Sequence, residues 1–299
     1  MSLEDYAREK SVHRMPTAKP GTEGPNLQLD VRKEKVELVD ITEKERWGDR
    51  SVISLTSSRH QAKAEVERFS EYALVLRRYV DRDGDRVKTA LEVRSSIIRV
   101  CLKENLQDYP YLNIHSTPIV IYAPYPPLFH YRKQIREYCN SSKRTEDEKA
   151  HLRLLVTFMS NNLHALEKES LRLLPSGMIT FELLWTLFPP DGLIIAQRDH
   201  YNQCFAVESC YTTSTFISIT ARSWDYNGYR FGPAMKTFDI KQFSGPKAIE
   251  ALEVHPIEFY SKSSTEELKA SLSSRGNRWK EIVDVSHRAY NGECLIQNL

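Results

Sequence analysis

The run Phe129-His130-Tyr131-Arg132-Lys133-Gln134-Ile135-Arg136 interleaves rings with cations. Rings can stack on bases and cations can meet phosphates, so Phe129, Tyr131, Arg132, Lys133 and Arg136 are the candidate partner-binding residues of this sequence. The competing reading is a helix start with a solvated basic face, and it is favoured because Glu137 and Glu146-Asp147-Glu148 lie close by. Nucleic acid is therefore not the expected ligand. His200, Cys204 and Cys210 share parity, and one uninterrupted strand would aim them at one face. On a straight strand residues 200 and 210 stand roughly 33 Å apart, too far for one zinc ion. No Cys-x-x-Cys or His-x-x-x-His occurs, so no metal is expected, and packed thiols are the reading of choice. Of the other histidines, His115, His130, His151, His164, His255 and His287 read as packed or surface residues.

Other chemistry is missing by motif. No Gly-Lys pair occurs and no two glycines lie five apart, so the phosphate cradle of a Walker A loop cannot be built. No Gly-x-Gly and no Gly-x-Ser-x-Gly occurs. The Ser-x-x-Lys at Ser244-Gly245-Pro246-Lys247 has the residues of a turn. No cofactor and no catalytic residue is expected, and ATP should be neither bound nor hydrolysed. Asp81 to Arg86 carries clustered aspartates, but with Gly84 at the sixth position of a calcium loop the end ligands fall on Tyr79 and Ala90. Asp83-Gly84 reads instead as a hairpin tip, opposing Val80 to Val87, Leu76 to Leu91 and Leu74 to Val93.

The elements around these residues follow from pattern. Residues 1–60 read mostly as a disordered charged tail: 21 of the first 50 residues are charged and only Tyr6 and Trp47 are aromatic. Val36, Leu38 and Ile41 are the candidates in it for a short docked strand. Folded structure is expected from near Phe69, in one domain over residues 61–292, with 293–299 as its end. Ser95–Glu104 reads as a helix. Thr145-Glu146-Asp147-Glu148 opens another, with Leu152, Leu155, Val156, Met159, Leu163 and Leu166 at helical spacing. A short helix capped by Thr180 should bury Phe181, Leu184, Trp185 and Phe188, and Pro189-Pro190-Asp191-Gly192 should stop it. Strands are expected at 193–196, 205–211, 216–224, 229–240 and 251–260, and a helix at 264–273. Asn227-Gly228 reads as a two-residue hairpin tip that opposes Tyr226 to Tyr229, Asp225 to Arg230 and Trp224 to Phe231. The fold class is α+β, mixed and mostly antiparallel, with a few packed helices.

Composition limits the rest. With 42 basic and 40 acidic residues among 299, bulk charge does not point to nucleic acid. Five cysteines, an odd number, suit a reducing compartment, and the first thirty residues hold no apolar run. A cytoplasmic or nuclear protein is expected, and prolines and charges break every stretch long enough to cross a membrane.

Several segments together resemble a domain of unknown function that lies upstream of the ATPase core in fungal AAA+ proteins. The most specific runs from Gly177-Met178-Ile179-Thr180-Phe181 through Trp185 to Phe188-Pro189-Pro190. Asp108-Tyr109-Pro110, Leu128-Phe129-His130-Tyr131-Arg132, Trp224-Asp225-Tyr226-Asn227-Gly228, Ile240 to Gly245 and Tyr290-Asn291-Gly292 support it. The resemblance implies a non-catalytic amino-terminal module that recruits a protein partner or regulates an AAA+ ring. It assigns no catalytic residue to this region. Residue by residue, Gly177, Phe181, Trp185, Phe188, Pro189, Pro190, Trp224, Asp225, Asn227, Gly228, Arg230 and Gly245 also make sense as structural positions alone.

Overall fold

The computed structural model describes residues 35–44, 69–80, 86–140, 144–198, 201–261 and 263–281. Two sheets carry it. The first is four-stranded in the order β1 (Lys35–Lys44), β2 (Tyr72–Val80), β3 (Arg86–Val93), β4 (Ile119–Tyr122). The second is a five-stranded antiparallel sheet in the order β11 (Val254–Pro256), β6 (Leu193–Arg198), β7 (Tyr201–Thr212), β8 (Phe216–Tyr226), β9 (Phe231–Lys241). A two-residue ladder joins β5 (Met178–Ile179) to β10 (Lys247–Ala248). The architecture is the α+β, mostly antiparallel one that patterning indicates, with β1 against β2 the parallel pair.

Helices close the first sheet. α1 (Ser96–Asn105) is capped by Ser95, whose Oγ accepts from Ile98 N–H. Two short helices follow, α2 (Pro126–His130) and α3 (Arg132–Cys139). The 28-residue α4 (Glu146–Leu173) begins with a reciprocal capping box between Thr145 and Glu148. It buries Leu152, Leu155, Met159 and Leu163 as its spacing requires, and it packs against α1, α3 and β1. α5 (Thr265–Lys280), opened by a second capping box from Ser264, lies on the outer face of the second sheet. There Leu268 joins Ile195 and Ile257 in a small separate cluster. Apart from Ile195, the buried Leu, Ile and Phe side chains of both sheets belong to one continuous core.

Five expectations are corrected. Lys35–Lys44 is a ten-residue strand in register with β2, so folded structure begins well before Phe69 and cuts into the segment read as tail. Val36, Leu38 and Ile41, the residues singled out for a docked strand, lie in this strand, and the polar residues between them make the segment read as tail. In the β2–β3 hairpin Leu74 pairs with Val93 and Leu76 with Leu91 as expected, but the ladder shifts and Val80 meets Arg86 instead of Val87. The Asp83-Gly84 tip lies outside the described residues, as do residues 1–34, His200, His287 and Tyr290-Asn291-Gly292. Phe181–Leu187 winds as a 3₁₀ helix, and Thr180 offers it no side-chain cap. The expected strand 251–260 shrinks to Val254–Pro256 between two 3₁₀ turns, Ile249–Ala251 and Ile257–Phe259.

The fifth correction is the β8–β9 hairpin. Tyr226 pairs with Phe231, Asp225 with Gly232 and Trp224 with Pro233, so Asp225 and Arg230 are not opposed. Asn227 N–H donates to Arg230 O, and Gly228, not Asn227, takes the positive φ of +93°. The cause is local. Asn227 Oδ1 accepts from both Tyr229 N–H and Arg230 N–H at 3.0 Å, which holds Asn227 as the residue before the tip. The tip is thus Gly228-Tyr229, with glycine first, the pattern of a type II′ turn. Each partner moves by two residues, an even shift, so every side chain keeps the face that alternation gave it.

Candidate functional site

Three segments distant in sequence meet where the first sheet's helices touch the second sheet. Trp185, on the 3₁₀ helix, sits edge-on to Phe129 with ring centroids 5.2 Å apart. His130 stands 5.5 Å from the same indole. The His130 Nε2 lies 3.3 Å from Trp185 O, and Nδ1 lies 3.0 Å from Tyr109 Oη. A carbonyl can only accept, so Nε2 carries the proton and Nδ1 accepts from the tyrosine hydroxyl. Burial drives the His130 pKa down to about 4, so the ring stays neutral. Burial likewise pushes the hydroxyls of Tyr109 and Tyr131 up, with the carboxylates Asp191 and Asp108 adding to the shift at Tyr131. His130 is a packed histidine with both nitrogens satisfied.

The backbone at this seam is held in unusual conformations. Asp108, Tyr111 and Asp191 all have positive φ (50°, 61° and 61°) without being glycine. Tyr111 Oη reaches Ser209 Oγ at 3.2 Å, and Arg222 of β8 forms ion pairs with Asp191 and Glu208. Gly192 packs so tightly that an added Cβ would lie 2.9 Å from Pro189 O. Strain of this kind persists only where surrounding contacts over-determine it.

The candidate basic–aromatic segment is consumed by this packing. Phe129 is buried, and Arg132 lies over its ring at 4.2 Å while donating to Phe129 O at 2.6 Å. Arg132 and Arg136 both face Glu167 of α4, at 3.4 and 3.0 Å. Tyr131 is half-buried beside Tyr109, and Lys133 alone of the five is exposed. The residues expected to meet a partner therefore bind α2 and α3 to α4. Local sequence could not show this, because Glu167 lies about thirty residues away.

The motif residues occupy structural positions. Gly177 takes φ +65° after the 3₁₀ turn Leu174–Ser176, and Gly245 takes φ +70°. Phe181, Trp185 and Phe188 are buried, Phe181 edge-on to Phe243 at 5.9 Å. Pro189 O accepts from Gly192 N–H at 3.0 Å, closing the turn Pro189-Pro190-Asp191-Gly192. Asp225 and Arg230 are exposed, and the Asp225 carboxylate accepts from Tyr226 N–H at 2.7 Å.

One surface is different in kind. On the outer face of β8–β9, Trp224 is 51% exposed and Met235 55% exposed, one diagonal step apart in the ladder. On the same face Tyr226 packs on Phe231 and Phe231 on Trp279 of α5, both at 5.1 Å between centroids. Tyr229 stands 92% exposed at the tip. Sequence pattern marks Trp224, Tyr226, Tyr229 and Phe231 as hairpin flanks, and only the packing of α5 adds Trp279 to them.

Cys204 and Cys210 do not share a face. Val207 pairs with Ala221 but Ser209 with Thr220, so Glu208 is an extra residue in β7 and reverses the alternation beyond it. Cys210, opposite Ile219, packs on the main core, while Cys204, opposite Ile195, faces the α5 side. Among the described residues no group of three His, Cys, Asp or Glu side chains is placed to hold a metal ion. None of the described helices is long and apolar enough to cross a membrane.

No curated protein and no solved structure matches the chain. The sequence profile of a family described as a domain of unknown function (DUF7025) matches residues 169–261, a span that starts inside α4 and stops short of α5.

Proposed function

We propose that this chain is a non-catalytic recognition or regulatory module that binds a protein partner, and that it is related to the module upstream of the core in fungal AAA+ ATPases. The observation that carries the reading is the exposed strip Met235, Trp224 and Tyr229, continued by Tyr226, Phe231 and Trp279. Trp and Tyr supply large contact area at low entropic cost and dominate binding hot spots. The tip is preorganised: Asn227 Oδ1 accepts two backbone bonds, and Tyr226 Oη donates to Gly228 O at 2.9 Å. A protein partner can lay an apolar face on such a strip without either side refolding.

The nucleic-acid alternative loses its residues, since Phe129 is buried and Arg132 and Arg136 face Glu167. A small-molecule enzyme of unrecognised class, the other alternative, would need a deep pocket with perturbed titratable groups, and one such group, His130, has both ring nitrogens engaged by Tyr109 and Trp185.

Capture from a cell extract on the immobilised full chain tests the reading. A protein retained by the wild type should be lost from a Trp224→Ser/Tyr229→Ser variant, by roughly tenfold or more in affinity. The variant's melting should change by less than about 0.5 kcal/mol, since both side chains are exposed. Equal capture by both proteins would sink the proposal, and steeply salt-dependent binding to a single-stranded oligonucleotide would replace it with the nucleic-acid reading.

A further inference from the structure

β9 ends the second sheet and is bonded to β8 along one side only. Two bonds fix which of its backbone groups face β8. Asn227 N–H donates to Arg230 O at the tip of the hairpin, and Gln242 N–H donates to Thr215 O at its base. Bonded and unbonded pairs alternate along an antiparallel ladder, and both ends give one parity: the even-numbered residues of 232–240 bond to β8. The odd-numbered residues of 231–241 turn their backbone groups away from it. Pro233 stands at one of these outward positions, where its missing N–H removes no ladder bond. Over residues 235–241 the outward groups form an unbroken edge, and none of them has a hydrogen-bond partner among the described residues.

The side chains along this edge divide by face. Met235, Thr237, Asp239 and Lys241 are exposed, on the face of the sheet that carries Trp224. Lys236 points to the other face, with its Nζ 4.9 Å from the centre of the Phe238 ring. Asp239 is the one carboxylate of β9, set against Lys236 and Lys241, and neither lysine has an ion-pair partner among the described residues. The edge is therefore weakly cationic. A second copy of β9 would bring the same lysines and the same missing donor, which are the devices that keep sheet edges from pairing with themselves. An acidic strand instead supplies the charge that the lysines lack.

We propose that the β9 edge takes the protein partner as an added strand, an extended segment that alternates apolar and acidic residues; this rests on the reading that the neighbouring aromatic strip binds a protein. The partner's main chain bonds to the outward groups of residues 235–241. Because alternate side chains of a strand fall on opposite faces, its apolar residues lie beside Met235 and Trp224 while its acidic residues lie on the face of Lys236. Backbone bonds supply affinity, and the two faces supply selectivity. Pro233 closes the edge toward the tip and so marks where the added strand stops bonding.

The test uses the full chain and a fluorescent peptide of alternating glutamate and leucine, about twelve residues long, read by anisotropy. The peptide should bind, and one of alternating lysine and leucine should bind at least about tenfold more weakly. Lys236→Glu should narrow that gap. Thr237→Pro should weaken binding by about tenfold or more while melting like the wild type, because Pro233 already occupies a position of the same kind. A further measurement needs no variant: the glutamate–leucine peptide should slow hydrogen exchange at the amides of Met235, Thr237, Asp239 and Lys241 by at least about tenfold and leave the even-numbered amides of β9 unchanged. Equal binding of the two peptides, or protection that misses these four amides, would overturn the proposal. A peptide that does not bind, while Trp224 and Tyr229 still govern capture of a protein, overturns the edge and leaves the strip standing. Protection of the four amides with capture indifferent to Trp224 and Tyr229 upholds the edge and overturns the strip.

Discussion

Trp185 shows how much one side chain carries here. Its indole packs on Phe129 and His130, and it is only 5% exposed. Trp185→Ala should destabilise the chain by roughly 3–5 kcal/mol, the usual cost of truncating a large core aromatic. Urea melts measure this, and a loss below about 1 kcal/mol would mean that the pocket collapses or that the ring is dispensable. His130 makes the seam sensitive to acid. Its pKa of about 4 in the fold lies below the ordinary 6.5, so the unfolded chain takes up the proton first. Its contribution is complete above about pH 6.5 and is lost as pH falls toward 4. Between pH 7 and pH 5 the wild type should lose about 2 kcal/mol more than His130→Gln does, at 1.36 kcal/mol per pKa unit. Parallel pH dependences of the two proteins would refute this.

At the scale of elements, β1 is the informative case. Its backbone completes the β2 edge, and Asp40 accepts from Arg78 Nε and Nη2 at 2.8 and 2.6 Å. A chain beginning at residue 61 should therefore melt lower than the full chain, by at least about 2 kcal/mol, since several ladder bonds of about 1 kcal/mol each are lost. It should also associate through the bared β2 edge. An unchanged melt with a monomeric elution volume would show that β1 is an ornament to the sheet. The starts of α4 and α5, by contrast, needed no tertiary information. Thr145 with Glu148 and Ser264 with Glu267 form the reciprocal caps that their spacing implies, because a cap involves only residues three apart. The α5 helix still runs on to Lys280, beyond the expected residue 273, because nothing local stops it there.

For the whole molecule, the seam joins what the family match divides. The matched span 169–261 begins within α4, and its Trp185 and Ser209 rest on partners contributed by residues 111–130. One apolar core runs through both sheets. The fragment 169–261 alone should show no cooperative melting and should bind a hydrophobic dye, whereas the full chain should unfold in a single transition. Cooperative melting of the fragment would make it an independent domain and reduce the seam to an interface.

Most elements could be read directly because their causes are local. Periodicity marked the α4 core stripe, alternation marked β6 to β9, and Gly177, Gly228 and Gly245 marked turns where φ is positive. The core role of Phe181, Trp185 and Phe188 was legible from their spacing, and the 3₁₀ helix buries Leu183, Leu184 and Leu187 with them. Tertiary structure alone decided what needed a distant partner. It committed Arg132 and Arg136 to Glu167 and brought Tyr109, His130 and Trp185 into one network. It also set the β8–β9 tip, where two side-chain bonds from Asn227 outweigh that residue's tolerance of positive φ, and it split Cys204 from Cys210 through one extra residue in β7. Periodicity reports which face a residue occupies. Which neighbour waits on that face depends on chain closure over tens of residues, and no local pattern encodes it.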